Sequence, residues 1–335
     1  MQLKCSFFNL LVALLIFSCG QKTTEQQTQA EEQPSEELKN MEVPLLKATL
    51  VLDVQAALGE GAIWHYQENK MYWVDIEGKK LHRFDPATNE DEVFEVPHRI
   101  GTVVPDTEGN AIVALQEGIF KMALPSGELT KMVNPEDSLS NIRFNDGKCD
   151  PAGRLWVGSM HLEQIPKAAS LYKIDKNGTA EKMLGDITIS NGIVWSKDKT
   201  KMYYIDTPSQ KVMEYEFDME TGAISNPRVA VEVPESAGFP DGMSIDSEDK
   251  LWIAHWGGSA VIRWNPENGE MMQKVEVPAP NVTSCAFTGN NLKTMYITTA
   301  RLGVSEEQLK AFPYSGGLFK VELDISGQKS YFFGE

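Results

Sequence analysis

The sequence predicts an all-β fold, a six-bladed β-propeller. Three observations carry this. The globular part repeats in six units of about 45 residues. Each unit pairs short strands rich in Val, Ile, Tyr and Trp with polar turns. No amphipathic helix of normal length interrupts the repeats. The clearest unit is Asn-Lys-Met-Tyr-Trp-Val-Asp at 69–75 followed by Lys-Leu-His-Arg-Phe-Asp-Pro at 80–86. It recurs at 200–206 with 211–218, and at 249–255 with 260–266. Weaker copies lie at 109–122, 153–175 and 294–321.

Six four-stranded blades around one axis account for the count, the period and the missing helices. The innermost strands are expected to start near Ala62, Thr102, Asp146, Gly192, Gly242 and Ser284. Ring closure should bring both chain ends into one blade, with residues 45–54 as an outer strand beside residues 329–333.

The segment before the repeats is different. Lys4 precedes an apolar run from Phe7 to Phe17, too short to cross a bilayer as a stable helix and shaped like a secretory signal. Leu15-Ile16-Phe17-Ser18-Cys19 resembles a bacterial lipobox, which implies a lipid on Cys19. From Gln21 to about Asn40 the chain is mostly Gln, Thr and Glu and lacks the apolar surface to order itself. The expected plan is a lipoprotein signal peptide at 1–18, a disordered tether at 19–42 and the propeller at 43–335. That plan places the protein outside the cytoplasm, as a periplasmic or outer-membrane lipoprotein.

The net charge of −17 argues against nucleic acid as a partner, because phosphate binding needs a basic surface. Cys149 and Cys285 are the only cysteines in the globular part and fall in different repeats, so two buried free thiols are expected. Asp75 and Asp206 end strands and are expected to cap turns, while His255 and Trp256 are candidates for a pocket wall.

Candidate chemistry lies where the inner strands begin. Glu60 stands in Gly59-Glu60-Gly61, Asn145 in Asn145-Asp146-Gly147, Asn191 in Asn191-Gly192 and Asp241 in Asp241-Gly242. Singly these are ordinary turn dipeptides. In a ring, however, equivalent positions converge on the axis. Two carboxylates and two amides brought together there need a cation between them. Such oxygen ligands suit one divalent ion: Ca²⁺, Mg²⁺ or Mn²⁺, with Zn²⁺ also compatible.

These stretches also carry a resemblance. Gly59-Glu60-Gly61-Ala62-Ile63-Trp64, the run from Arg143 to Arg154, Ser190-Asn191-Gly192-Ile193, Phe239-Pro240-Asp241-Gly242-Met243, Thr283-Ser284-Cys285-Ala286-Phe287 and Gly316-Gly317-Leu318-Phe319-Lys320 resemble the regucalcin (senescence marker protein) and gluconolactonase family. The resemblance implies a six-bladed propeller. It implies that Glu60, Asn191 and Asp241 hold the metal and that Asp241 is also the catalytic base. It implies that Arg143, Asn145 and Glu163 bind substrate. Residues 164–170 are shorter than in regucalcin and should border the pocket, which leaves the exact sugar open.

The expected activity is metal-dependent hydrolysis of a small sugar lactone to the aldonic acid, by a monomer. Two alternatives stand beside it: a non-catalytic metal- or carbohydrate-binding propeller, and an esterase or organophosphate hydrolase on the same site.

Overall fold

The computed structural model describes residues 43–139 and 141–335. The expected signal peptide, Cys19 and the tether lie outside the described residues. The described chain is all-β apart from short 3-10 turns and one six-residue helix, α1 (Glu306–Ala311), so the all-β class read from the repeats is the observed one.

Two short strands, β1 (Leu45–Lys47) and β2 (Thr49–Leu52), come first. Four separate four-stranded antiparallel sheets follow in chain order. The first is β3 (Gly59–His65), β4 (Lys70–Asp75), β5 (Lys80–Asp85) and β6 (Glu90–Glu95). The second is β7 (Ile100–Pro105), β8 (Ala111–Leu115), β9 (Gly118–Met122) and β10 (Leu129–Val133). The third is β11 (Ile142–Cys149), β12 (Leu155–His161), β13 (Ala169–Ile174) and β14 (Ala180–Ile187). The fourth is β15 (Ser190–Trp195), β16 (Lys201–Asp206), β17 (Lys211–Phe217) and β18 (Ile224–Glu232).

A nine-stranded sheet holds the rest. One part is β19 (Phe239–Ile245), β20 (Leu251–Trp256), β21 (Ala260–Trp264) and β22 (Met271–Glu276), with β1 added in parallel on β22. The other is β23 (Asn281–Thr288), β24 (Thr294–Ala300) and β25 (Leu318–Glu322), with β2 antiparallel on β25. The single pair Trp256–Asn281 joins the two parts. The first strands β3, β7, β11, β15, β19 and β23 neighbour one another in that order, and β23 returns to β3. All six expected inner-strand residues fall inside these first strands.

Local chemistry explains the arrays. Second strands are buried on both faces: in β4, Met71, Tyr72, Trp73 and Val74 are at most 1% exposed. Their aromatic and β-branched side chains suit a pleated core, and burying one such side chain contributes roughly 1.5–3 kcal/mol. Fourth strands are polar and largely exposed, as in β18. Many hairpins turn through a left-handed residue just before the next strand, including Asn69, Asn89 and Asp249. Asn and Asp tolerate that conformation better than most side chains.

One expectation needs correction. Residues 49–52 do supply an outer strand, but their partner is β25, not residues 329–333. The third strand of the last array offers a full antiparallel edge. The final residues instead leave that array: Phe333 makes a parallel bridge to Asp106, and the Gly334 N–H donates to the Gly153 carbonyl at 3.0 Å. Cys149 and Cys285 are buried and free, as expected.

Candidate active site

The first strands run side by side and in one sense, so their starts share one end of the molecule. A cavity of about 400 Å³ opens there, a volume typical of small-molecule sites. Glu60, Arg143, Asn145, Asn191 and Asp241 all line it. A smaller cavity, about 60 Å³, lies at the opposite end of the same strands, bordered by Lys148, Ser244 and residues 328–331.

Each functional side chain is placed by a local device. Asp75, the last residue of β4, accepts hydrogen bonds from the N–H groups of Ala57 and Leu58 at 3.0 Å each. That pins the loop entering β3 and hence Glu60. Asp206, the last residue of β16, does the same for Thr188 and Ile189 just before Asn191, with the Ile189 N–H at 2.8 Å. Both aspartates therefore cap turns, and the turns they cap aim the site.

Glycines let the first strands approach. A Cβ on Gly192 would lie 2.7 Å from the Asp241 carbonyl oxygen and 3.0 Å from the Met243 nitrogen. Gly61 sits at φ +61°, and the backbone N–H there donates to Glu60 Oε2 at 3.2 Å.

The polar network is directional. Arg143 Nη1 donates to Asn145 Oδ1 at 2.6 Å and to the Phe144 carbonyl at 3.0 Å. Asn145 Nδ2 donates to the Ser190 carbonyl at 2.7 Å, tying the third array to the fourth. Asn191 Nδ2 donates to Thr207 Oγ1 at 3.0 Å, and that hydroxyl donates onward to the Pro240 carbonyl at 2.9 Å.

The amide of Asn191 thus has its NH₂ held away, and its Oδ1 is buried with no hydrogen-bond partner among the described residues. Asp241 Oδ1 is in the same state, and so is Asp146 Oδ2.

Electrostatics reinforce this. Burial, then the neighbouring Asp241 and Asp146, push the Glu60 carboxyl well above the usual range. Burial, then Asp146, do the same to Asp241. Burial also raises Asp146. Arg143 is pulled down to about 10 by burial, with Glu60 opposing, so it stays cationic at neutral pH.

Buried carboxylates with orphaned oxygens are stable as anions only if a cation joins them. The set of Glu60, Asp241 and the Asn191 amide oxygen is chemically suited to a hard divalent ion. Among the described residues no three His, Cys, Asp or Glu side chains form a metal cluster, and Asn191 lines the same cavity as Glu60 and Asp241.

Some expectations sit differently. Glu163 is exposed and does not line the cavity; its N–H donates to His161 Nδ1 at 3.1 Å. Gln164, beside it, lines the cavity instead. Gln164 takes φ +53° in this turn. Gln164 also begins the shortened stretch expected to border the pocket. Trp256 lines the wall, but His255 does not. His255 is fully buried, and its Nε2 accepts from Trp264 Nε1 at 3.3 Å.

Two functional features escaped the sequence reading: Thr207, which orients Asn191, and an apolar mouth. Thr207 could have been found by aligning the repeats, where it stands at the place of Ile76 and Trp256.

Residues 58–301 match the family described as the SMP-30/Gluconolactonase/LRE-like region. The chain is 38% identical over 282 residues to YvrE of Bacillus subtilis, whose name assigns it provisionally as a sugar lactone lactonase; the match covers 84% of this chain and 97% of that one. It is 36% identical over 288 residues to regucalcin of Xenopus laevis, covering 84% and 96%. A solved structure of a calcium-binding protein, regucalcin from Agrobacterium tumefaciens, superposes with a TM-score of 0.83 at 26% identity, covering 87% of this chain and 99% of that one. The chain belongs to the SMP-30/gluconolactonase/LRE-like family.

Proposed function

We propose that this protein is an exported, divalent-cation-dependent lactonase acting on a sugar lactone, built as a six-bladed β-propeller. The observation that carries the reading is the pair of buried, unpartnered oxygens on Asn191 and Asp241, facing one cavity with the Glu60 carboxylate and the Arg143–Asn145 pair. The closed cycle of six first strands supports the blade count. The relative whose name provisionally gives it as a sugar lactone lactonase supports the reaction class.

Glu60, Asn191 and Asp241 would hold the cation, which supplies Lewis-acid polarisation of the lactone carbonyl when bound. The chain's own groups do the rest. Arg143 and Asn145, locked to each other at 2.6 Å, orient the sugar hydroxyls. The Asp241 carboxylate takes the proton of the attacking water and returns it to the ring oxygen as the ring C–O bond breaks. A binding protein that only stored cations would have no use for the fixed Arg143–Asn145 pair.

Residues 1–18 act as a lipoprotein signal, Cys19 carries the lipid, residues 19–42 form the tether, and residues 43–335 work as a monomer at the periplasmic or outer-membrane face. Acyl labelling that persists in Cys19→Ala would overturn the anchor.

The test of function is hydrolysis of a panel of aldonolactones by cation-stripped protein, with Ca²⁺, Mg²⁺, Mn²⁺ or Zn²⁺ restored one at a time. Turnover that appears only with added cation, and is lost in Asp241→Asn, is the expected result. Tight cation binding without turnover of any lactone would refute the lactonase reading.

A further inference from the structure

Depth sorts the chemistry of the 400 Å³ cavity. The charged and amide groups, Glu60, Arg143, Asn145, Asn191 and Asp241, are each at most 7% exposed and form its floor. The mouth is apolar. Phe239 is 47% exposed and Leu302 is 49% exposed, far above the usual values for such side chains in the core. Trp256 and Ile189 are half-buried beside them, and Met160 lines the wall just inside.

These side chains come from several directions. Met160 belongs to the third array and Ile189 immediately precedes the fourth. Phe239 and Trp256 belong to the fifth array in chain order, and Leu302 follows β24. Apolar surface therefore surrounds the mouth and is not confined to one platform.

That arrangement is a poor match for a bare sugar ring. A sugar lays one C–H face on one aromatic and turns its hydroxyls toward polar partners. At this mouth only Gln164 and Thr207 offer polar side chains. The Thr207 hydroxyl has its proton committed to Pro240 and one lone pair to Asn191, which leaves a single acceptor position. Hydroxyls directed at the remaining wall would lose water without gaining partners. An alkyl or aryl group would instead bury apolar area against Phe239, Trp256 and Leu302.

We propose that the preferred substrate of this site is a lactone bearing an apolar alkyl or aryl substituent, with the ester end on the polar floor and the substituent held in the mouth. The proposal rests on the lactonase reading for its reaction and departs from it on the substrate, putting an apolar substituent where that reading puts sugar hydroxyls. The reaction balances without any further reagent. The oxygen of water bonds to the carbonyl carbon, the ring C–O bond breaks, and the water's proton passes to the departing ring oxygen. The product is the hydroxy acid with the same apolar substituent.

The test is kcat/KM of the full-length, cation-loaded protein on γ-lactones whose ring substituent lengthens from methyl to butyl to octyl, run beside glucono-1,5-lactone. The expected result is a rise of up to about fourfold per added methylene until the mouth is filled, carried by a falling KM. Phe239→Ser and Leu302→Ser, both at nearly half-exposed positions, should flatten that rise, with thermal unfolding confirming that each variant folds.

Hydrolysis of gluconolactone with a flat or falling alkyl series would overturn the apolar preference while leaving the lactonase intact. A rising series that both serine variants leave unchanged would also overturn it, because the mouth would then not be the binding surface. No hydrolysis of any lactone would overturn the lactonase reading and this proposal together.

Discussion

Thr207→Val isolates the device that aims Asn191. Valine keeps the shape of threonine but replaces the hydroxyl with a methyl. Two hydrogen bonds disappear, the one from Asn191 Nδ2 at 3.0 Å and the one to the Pro240 carbonyl at 2.9 Å. Each contributes about 0.5–1.5 kcal/mol net, so the fold should lose roughly 1–3 kcal/mol. In a domain of this size that is a fall of a few degrees in Tm.

If Asn191 holds the proposed cation, the larger effect falls on cation binding. With its NH₂ released, the Asn191 amide can rotate and present a donor where the site needs an acceptor. Loss of a group that orients a ligand typically weakens metal affinity about 10- to 100-fold. Calorimetric titration of the cation-stripped protein with Ca²⁺ and Mn²⁺ reads this directly. Thr207→Ser, which keeps the hydroxyl, should restore most of the affinity. If Thr207→Val binds cations as tightly as the parent while its Tm falls, Thr207 only supports the fold and the orienting argument is wrong.

Two further predictions follow from the geometry. His255 is buried and its pKa is lowered to about 3, chiefly by desolvation. An unfolded histidine titrates near 6.5, so between those values the unfolded chain holds one more proton than the folded one. Stability from this group is full above about pH 6.5 and falls by about 1.4 kcal/mol per unit as pH drops toward 3. Urea unfolding at a series of pH values from 7 to 4.5 should show a shallower acid loss in His255→Gln, and an unchanged slope would remove His255 from the account. Gly192→Ala forces a Cβ to within 2.7 Å of the Asp241 carbonyl oxygen. It should lower Tm and weaken cation binding together, measured by differential scanning and titration. A loss of Tm with intact affinity would mean that the strand yields without moving Asp241.

The strand arrays were legible in the sequence because the repeat is written in strong signals. A buried aromatic and β-branched strand such as 71–74 between turn residues leaves little choice of structure. The floor of the site was legible for a related reason. Glu60, Asn191 and Asp241 occupy equivalent places in different units, and equivalent places meet on the axis. All three do line one cavity.

What was lost depends on direction and partnership, not on identity. Glu163 and Gln164 are adjacent in a turn, and the cavity meets Gln164 while Glu163 stays exposed, a difference that residue identity does not reveal. The partner of β2 was misplaced because residues 318–322 and 329–333 are both apolar enough to pair. Nothing in a single strand says which neighbour offers a free edge. The apolar mouth was hidden because its members are far apart in sequence and unremarkable one at a time.

The pairing of β2 with β25 also bears on how the molecule is made. Thr49 Oγ1 and the Lys320 carbonyl, which meet across it, are separated by 271 residues. Closing a loop of that length carries an entropic cost of about 5 kcal/mol by polymer scaling, to be offset by contacts that form only at the end. The ring therefore cannot be completed on the ribosome before nearly the whole chain has emerged, and assembly should be slow by comparison with proteins of local connectivity. Until β25 is made, β2 has no edge to pair with, so a strand formed among the first stays open until almost the last strand arrives.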